Sequence, residues 1–162
     1  MSNAAGFAEP ASTQLFKEVP TNHAFYEGIQ RLARRGYISG YACGGAAEPC
    51  NVSNQGNLPY FRPGSNATRG QISRIVSNTA GFQNSAGPQL FNDLQLGSAF
   101  YDFVKRLTNR GIMSGYACGG EGEPCNASGL GALPYFRPNN NATRGQVAKI
   151  VANTFFPDCQ TP

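Results

Sequence analysis

The chain has 162 residues, 40% hydrophobic and 14% charged, which is enough apolar matter for one compact domain or two small ones. Its net charge of +4 comes with no basic run longer than a pair, Arg34-Arg35 and Lys105-Arg106. Nucleic-acid binding therefore has no support, and an anionic polysaccharide suits so mild a charge equally well. No apolar run reaches the length of a transmembrane helix, and MSNAAGFAEPAS lacks the basic start and apolar centre of a signal peptide.

Gly 20 and Pro 11 predict much loop and turn, and the chain writes its loops twice. YFRPGSNATRGQ at 60–71 returns as YFRPNNNATRGQ at 135–146. Phe25-Tyr26 returns as Phe100-Tyr101, and the run Gly40 to Gly45 returns as Gly115 to Gly120. The offset is 75 residues throughout, without a gap, and 37 of the 64 aligned positions from 16 to 79 are identical. Such a period signals an internal duplication. Residues 1–13 are read as the tail of a preceding repeat or a linker, 14–83 and 89–156 as the two repeats, and 157–162 as a C-terminal tail. The tail reading rests on Asn3-Ala4-Ala5-Gly6-Phe7, which aligns at the same offset with Asn78 to Phe82. A vector-derived leader is the alternative, but it leaves Gly6 and Phe7 unexplained.

In chain order, a first helix is predicted near 22–35, with Phe25, Ile29 and Leu32 on one buried stripe, repeated by Phe100, Val104 and Leu107. Gly36 and Gly111 stand where a left-handed C-terminal cap belongs, after Arg35 and Arg110, whose charge suits that end of the helix dipole. Tyr41, Tyr116, Tyr60 and Tyr135 follow; packing is favoured for them over sugar stacking. Arg62-Pro63 and Arg137-Pro138 read as a turn feature with some scope for anion contact. A second helix starts at Thr68 and again at Thr143, where Thr-Arg-Gly-Gln predicts a capping box made by Thr68 with Gln71 and Thr143 with Gln146. Ile72, Ile75 and Val76, then Val147, Ile150 and Val151, form its apolar stripe. A helical glycine at 70 and 145 is unfavourable by propensity, so a close helix–helix or backbone–ligand approach is expected there. Asn51, Asn66, Asn126 and Asn141 begin sequons, which in a bacterial protein turn formation explains better than glycosylation.

Cys43 and Cys50 enclose GGAAEP, and Cys118 and Cys125 enclose GGEGEP. A zinc site would favour closer pairs with histidine help, and the lone His23 becomes Ser98 in the other copy. A redox pair is usually C-x-x-C. A local disulfide in each repeat is the preferred reading, and it implies an oxidising, exported setting with the signal peptide outside this chain. Cys159 has no repeat partner and is taken as unpaired; a bond to a missing segment or a cross-link between molecules stays open.

The assembled pattern resembles the S-layer homology repeat: Phe16 to Pro20, Phe25 to Leu32, Gly36 to Tyr41, Phe61 to Pro63 and Ala67 to Gln71, then again across 91–154. The cystine-bearing version is similar to exported proteins of Chloroflexus-type bacteria. The resemblance implies a mainly α fold of tandem helix–loop–helix repeats, three of which usually pack as a pseudo-threefold spindle whose grooves hold anionic cell-wall polysaccharide. It implies that Arg69 and Arg144 contact such a ligand, with Gly40-Tyr41 and Gly115-Tyr116 in the loop before the groove. A guanidinium at a helix N-terminus suits an anion. Three departures matter: the family's Asp-Gly-Thr is replaced by the cystine loop, its acidic residue by Gln71 and Gln146, and two full repeats stand where three are usual.

A brace across the repeat junction, bonding backbone carbonyls, is an equal alternative for Arg69 and Arg144. The chain is expected to be a non-catalytic module of the cell exterior, without cofactor or metal, that anchors an exported protein to anionic cell-wall or surface polysaccharide. The alternative is a structural subunit forming S-layer-like or filamentous arrays with copies of itself, or with a further repeat that completes a three-repeat unit. One non-repeated His, no paired acids and no Ser/His/Asp pattern argue against an enzyme, and Gly44-Gly45 lacks the ending a phosphate loop needs.

Overall fold

The computed structural model describes residues 1–50, 56–83 and 87–160, with the backbone alone for residues 159 and 160. Asn51 and the side chain of Cys159 therefore lie outside the described residues. Regular structure among the described residues is helical: α1 (Tyr26–Arg34), α2 (Arg69–Thr79), α3 (Tyr101–Thr108), α4 (Arg144–Phe155) and a short 3-10 helix (Pro157–Gln160). The remaining pairing consists of isolated β-bridges, including Tyr41 with Tyr60 and Tyr116 with Tyr135. No helix among the described residues is long and apolar enough to cross a membrane. The chain divides into two compact units, Met1–Ser65 and Asn66–Pro162. The division falls just before the α2 cap, so α2 belongs with the residues that follow it.

In the first unit, α1 starts later than the sequence predicts because residues 20–25 form turns, with the Tyr26 amide donating to the His23 carbonyl at 2.9 Å. The helix ends as expected. Gly36 takes φ +70°, its amide donates to the Ala33 carbonyl, and the Tyr37 amide donates to the Leu32 carbonyl at 3.0 Å, which is the Schellman arrangement. Phe16, Val19, Tyr26 and Ile29 make the core, flanked by Leu15, Ile38 and Phe61. Phe25, expected on the buried stripe, is instead 63% exposed. Residues 1–7 form a closed turn in which the Gly6 amide donates to Asn3 and the Phe7 amide to Ser2, both at 3.1 Å. Gly81 and Phe82 donate to Asn78 and Ser77 in the same way at the end of α2.

In the second unit both expected capping boxes are complete: the Gln71 amide donates to the Thr68 hydroxyl and the Gln71 side chain accepts from the Thr68 amide, with Gln146 and Thr143 doing the same for α4. Helix α2 packs on α3. Its buried face is lined by small residues, Gly70, Ser73 and Ser77, which permit close approach. Ile72 and Val76 are buried as predicted, whereas in α4 only Ile150 is. Phe91, Leu94, Val104, Leu107 and Phe136 are buried in this unit.

Each cystine closes its loop as the sequence predicts, Cys43 to Cys50 and Cys118 to Cys125, with Cα atoms 5.2 and 5.1 Å apart. This replaces the zinc and redox alternatives for those four residues. Inside the loops the Gly44 amide donates to the Glu48 carbonyl at 2.7 Å and the Gly119 amide to the Glu123 carbonyl at 2.8 Å. Closing so short a loop limits the unfolded chain by about 2–3 kcal/mol per bond in the chain-entropy model. Reduction is therefore expected to lower the melting temperature measured by circular dichroism, and Cys43→Ser/Cys50→Ser to reproduce part of that loss without reductant.

Candidate functional site

The recurring Arg-Pro turn is the first part of the site. Arg62 and Arg137 hold φ of +60° and +58°, a left-handed backbone that a non-glycine residue rarely adopts. The Arg137 guanidinium forms a forked pair with Glu123 at 2.7 and 2.8 Å, and Arg62 with Glu48 at the same distances. From the other side, Asp93 accepts from the Phe136 and Arg137 amides at 2.8 and 2.7 Å, and Glu18 accepts from the Arg62 amide. The same guanidinium carbons lie over rings, Arg62 over Tyr41 at 3.9 Å and Arg137 over Tyr116 at 4.1 Å. The sequence suggested a turn with some scope for anion contact, and not this ion pair. The signal available was the glutamate repeated at one position of both cystine loops.

Arg69 is the second part. It opens α2, and its side chain crosses into the loop of the second unit. Nε donates to the Phe136 carbonyl and Nη2 to the Ser114 carbonyl, both at 2.8 Å, with Nη1 3.5 Å from the Tyr116 hydroxyl. The guanidinium carbon lies 4.5 Å from the Phe136 ring centre and 5.0 Å from that of Tyr116. The α2 backbone joins in: the Arg69 amide donates to Asn140 and the Gly70 amide to Pro138, each at 2.8 Å. Arg69 is only 7% exposed, and burial pushes its guanidinium down from the ordinary value, partly offset by Tyr116. Arg69 thus makes the bracing contacts.

Arg144 has the same motif and a different setting. It is exposed, as are Thr143 and Gly145. Gly70 and Gly145 differ in the same sense. A Cβ on Gly70 would lie 2.5 Å from the Phe100 ring, whereas a Cβ on Gly145 meets nothing within 4 Å. Tyr41 is 45% exposed, while Tyr116 is half-buried. Gly40 and Gly115, which the resemblance puts in the loop before the groove, are closely packed. A Cβ there would stand 2.7 Å from Phe16 and 2.8 Å from the Tyr60 carbonyl, or 2.5 Å from Phe91 and 2.7 Å from the Tyr135 carbonyl. Tyr60 and Tyr135 point their hydroxyls at the Pro49 and Pro124 carbonyls, 3.2 and 3.0 Å away, and burial pushes both phenols up.

This geometry sits largely inside one segment with a known likeness. Residues 90–148 match the S-layer homology domain. The matched segment carries the second cystine, Tyr116, Arg137 and the α4 cap, and Arg69 reaches into it from outside. No curated protein matches the chain. An S-layer homology domain points in general to anchoring at the cell surface and is generally non-catalytic, and with the disulfides it fits a cell-surface or exported protein. Among the described residues no group of three or more His, Cys, Asp or Glu is placed to hold a metal ion.

The matched pairs allow differential tests. Arg69→Ala strands two carbonyls and is expected to cost about 3 kcal/mol in a urea melt, while Arg144→Ala stays within about 0.5 kcal/mol. Gly70→Ala drives a methyl into Phe100 and lowers stability by about 1–3 kcal/mol; Gly145→Ala gains up to about 1 kcal/mol of helix propensity. Acid provides a third test. The paired arginines hold the Glu48 and Glu123 carboxyls below the usual carboxylate range. A lowered folded-state pKa gives stability that is full above the unfolded value, about 4.3, and lost as pH falls through the folded one. Glu48→Gln/Glu123→Gln should therefore melt lower than wild type at neutral pH and converge with it in acid. A constant difference across the range would refute the role of these pairs.

Proposed function

We propose that the chain is a pair of S-layer homology-type repeats with disulfide-stapled, Gly/Pro-rich loops, acting as a non-catalytic module that anchors an exported protein to anionic cell-wall or surface polysaccharide. The observation that carries this reading is the match of residues 90–148 together with the exposed Arg144 at its capped helix start. Arg69 spends its donors on carbonyls; Arg144 keeps its own for a ligand. A guanidinium beside free amides at a helix N-terminus is suited to a carboxylate-bearing sugar. Tyr41, exposed and stacked under Arg62, offers a second aromatic surface in the first unit.

The second reading, a structural subunit that assembles repeat to repeat, is favoured by one observation: the α2 start is buried among its partners while the identical α4 start is bare. Co-sedimentation with purified anionic wall polysaccharide tests the anchoring reading. Wild type is expected in the pellet, displaced by free polymer and by salt. Arg144→Ala should weaken retention about tenfold, and Arg69→Ala should act only through stability. Equal retention of wild type and Arg144→Ala would remove Arg144 from the site, and no retention of wild type would sink the anchoring reading.

A further inference from the structure

The start of α2 shows what covers such a surface. Its arginine enters a socket formed by the Ser114 and Phe136 carbonyls, its first two amides bond the Asn140 and Pro138 carbonyls, and Phe100 lies against its glycine. Every part of that arrangement recurs at the 75-residue offset with the partner missing. On the inserting side, α4 repeats Thr, Arg, Gly and Gln at 143–146, with Arg144 and Gly145 exposed. Further along, α4 keeps Ile150 and Val151 and replaces Ser73 and Ser77 with Ala148 and Ala152, so nothing on that face grows in a way that blocks the fit.

On the receiving side, the first unit presents the equivalents of the socket: the carbonyls of Ser39, Phe61, Pro63 and Ser65, with Phe25 and Tyr41. Among the described residues no donor is recorded on those four carbonyls. Phe25 is 63% exposed where Phe100 is covered, and Tyr41 carries Arg62 alone where Tyr116 has two arginines beside it. The far end of the groove is occupied. Residues 1–7 repeat the closing turn of α2, with Ser2 buried like Ser77 and Phe7 under Arg35 at 3.9 Å as Phe82 lies under Arg110 at 4.2 Å. That short turn stands where the last turns of an entering helix would lie.

We propose that the first unit of one chain receives α4 of a second copy, with Arg144 on the Ser39 and Phe61 carbonyls, Gly145 against Phe25, and residues 1–7 giving way to the entering helix. The contact is heterologous, one surface on a different one, so association continues until it closes or runs on. This deepens the assembly reading and rests on it, and it needs no glycan.

Sedimentation velocity across a concentration series, without polysaccharide, tests it. The mass of the wild-type chain is expected to rise with concentration. Gly145→Ala and Phe25→Asp should each weaken association about tenfold or more, and removal of residues 1–7 should tighten it about tenfold. Gly145→Ala has open space around its new methyl, so its melting temperature should equal or exceed that of wild type, separating lost association from lost folding. The two point variants mixed should form a one-to-one pair that grows no further, because one keeps the socket and the other keeps the helix. A wild-type chain that stays single at every concentration, or point variants that associate like wild type, would overturn the proposal. So would association that appears only when wall polysaccharide is added, which would give the surface to glycan. Retention of Gly145→Ala on polysaccharide with association lost would leave the anchoring reading standing apart from this one.

Discussion

The guanidinium of Arg69 on the carbonyls of Ser114 and Phe136 is the contact on which the second unit depends. A loop rich in Gly and Pro has few ways to satisfy its backbone, and a buried carbonyl left alone costs as much as a lost hydrogen bond. Arginine suits the task because its donors are fixed in a plane and its charge stays weakly hydrated. The helix behind it adds two amides that would otherwise lack partners, since the first turn of any helix leaves its N–H groups free. One side chain and two peptide units thus satisfy four loop carbonyls, and the loop in turn holds the start of α2.

The loop is held from its other side by a different chain of causes. The cystine sets a short closed turn, the turn presents Glu123, Glu123 fixes Arg137, and Asp93 takes the two amides that a left-handed Arg137 points inward. No step stands alone. A left-handed arginine is strained, and strain of about 1–3 kcal/mol persists only where surroundings over-determine the conformation. The same sequence of bonds holds Arg62 through Glu48 and Glu18. The cystine loop, which stands where the resemblance would put Asp-Gly-Thr, therefore supplies the acidic group that positions the Arg-Pro turn.

What was legible in the sequence was local. The capping boxes at Thr68 and Thr143, the left-handed glycines at 36 and 111 and the two disulfides each depend on residues within a few positions of one another, and each formed as expected. What was not legible depends on a neighbour. Phe25 and Phe100 stand in the same local sequence, yet one is exposed and the other covers Gly70, because only Phe100 has a helix start beside it. Arg69 and Arg144 divide in the same way. Helix α1 began late for another reason: residues 20–25 close tighter turns, with the His23 Nδ1 accepting from the Phe25 amide at 3.1 Å.

These differences follow from the phase between period and packing. The sequence repeats from Phe16 to Thr79, but the compact units divide before α2, so the second helix of one period packs with the first helix of the next. A motif at the end of a period is therefore completed by the period after it. Where that period is present, as it is for Arg69, the motif is a brace. At Arg144 the same motif is exposed, and among the described residues no partner meets its guanidinium, its first amides or its glycine. The internal junction shows what chemistry suits this motif: carbonyl oxygens for the arginine, and a flat ring for the glycine.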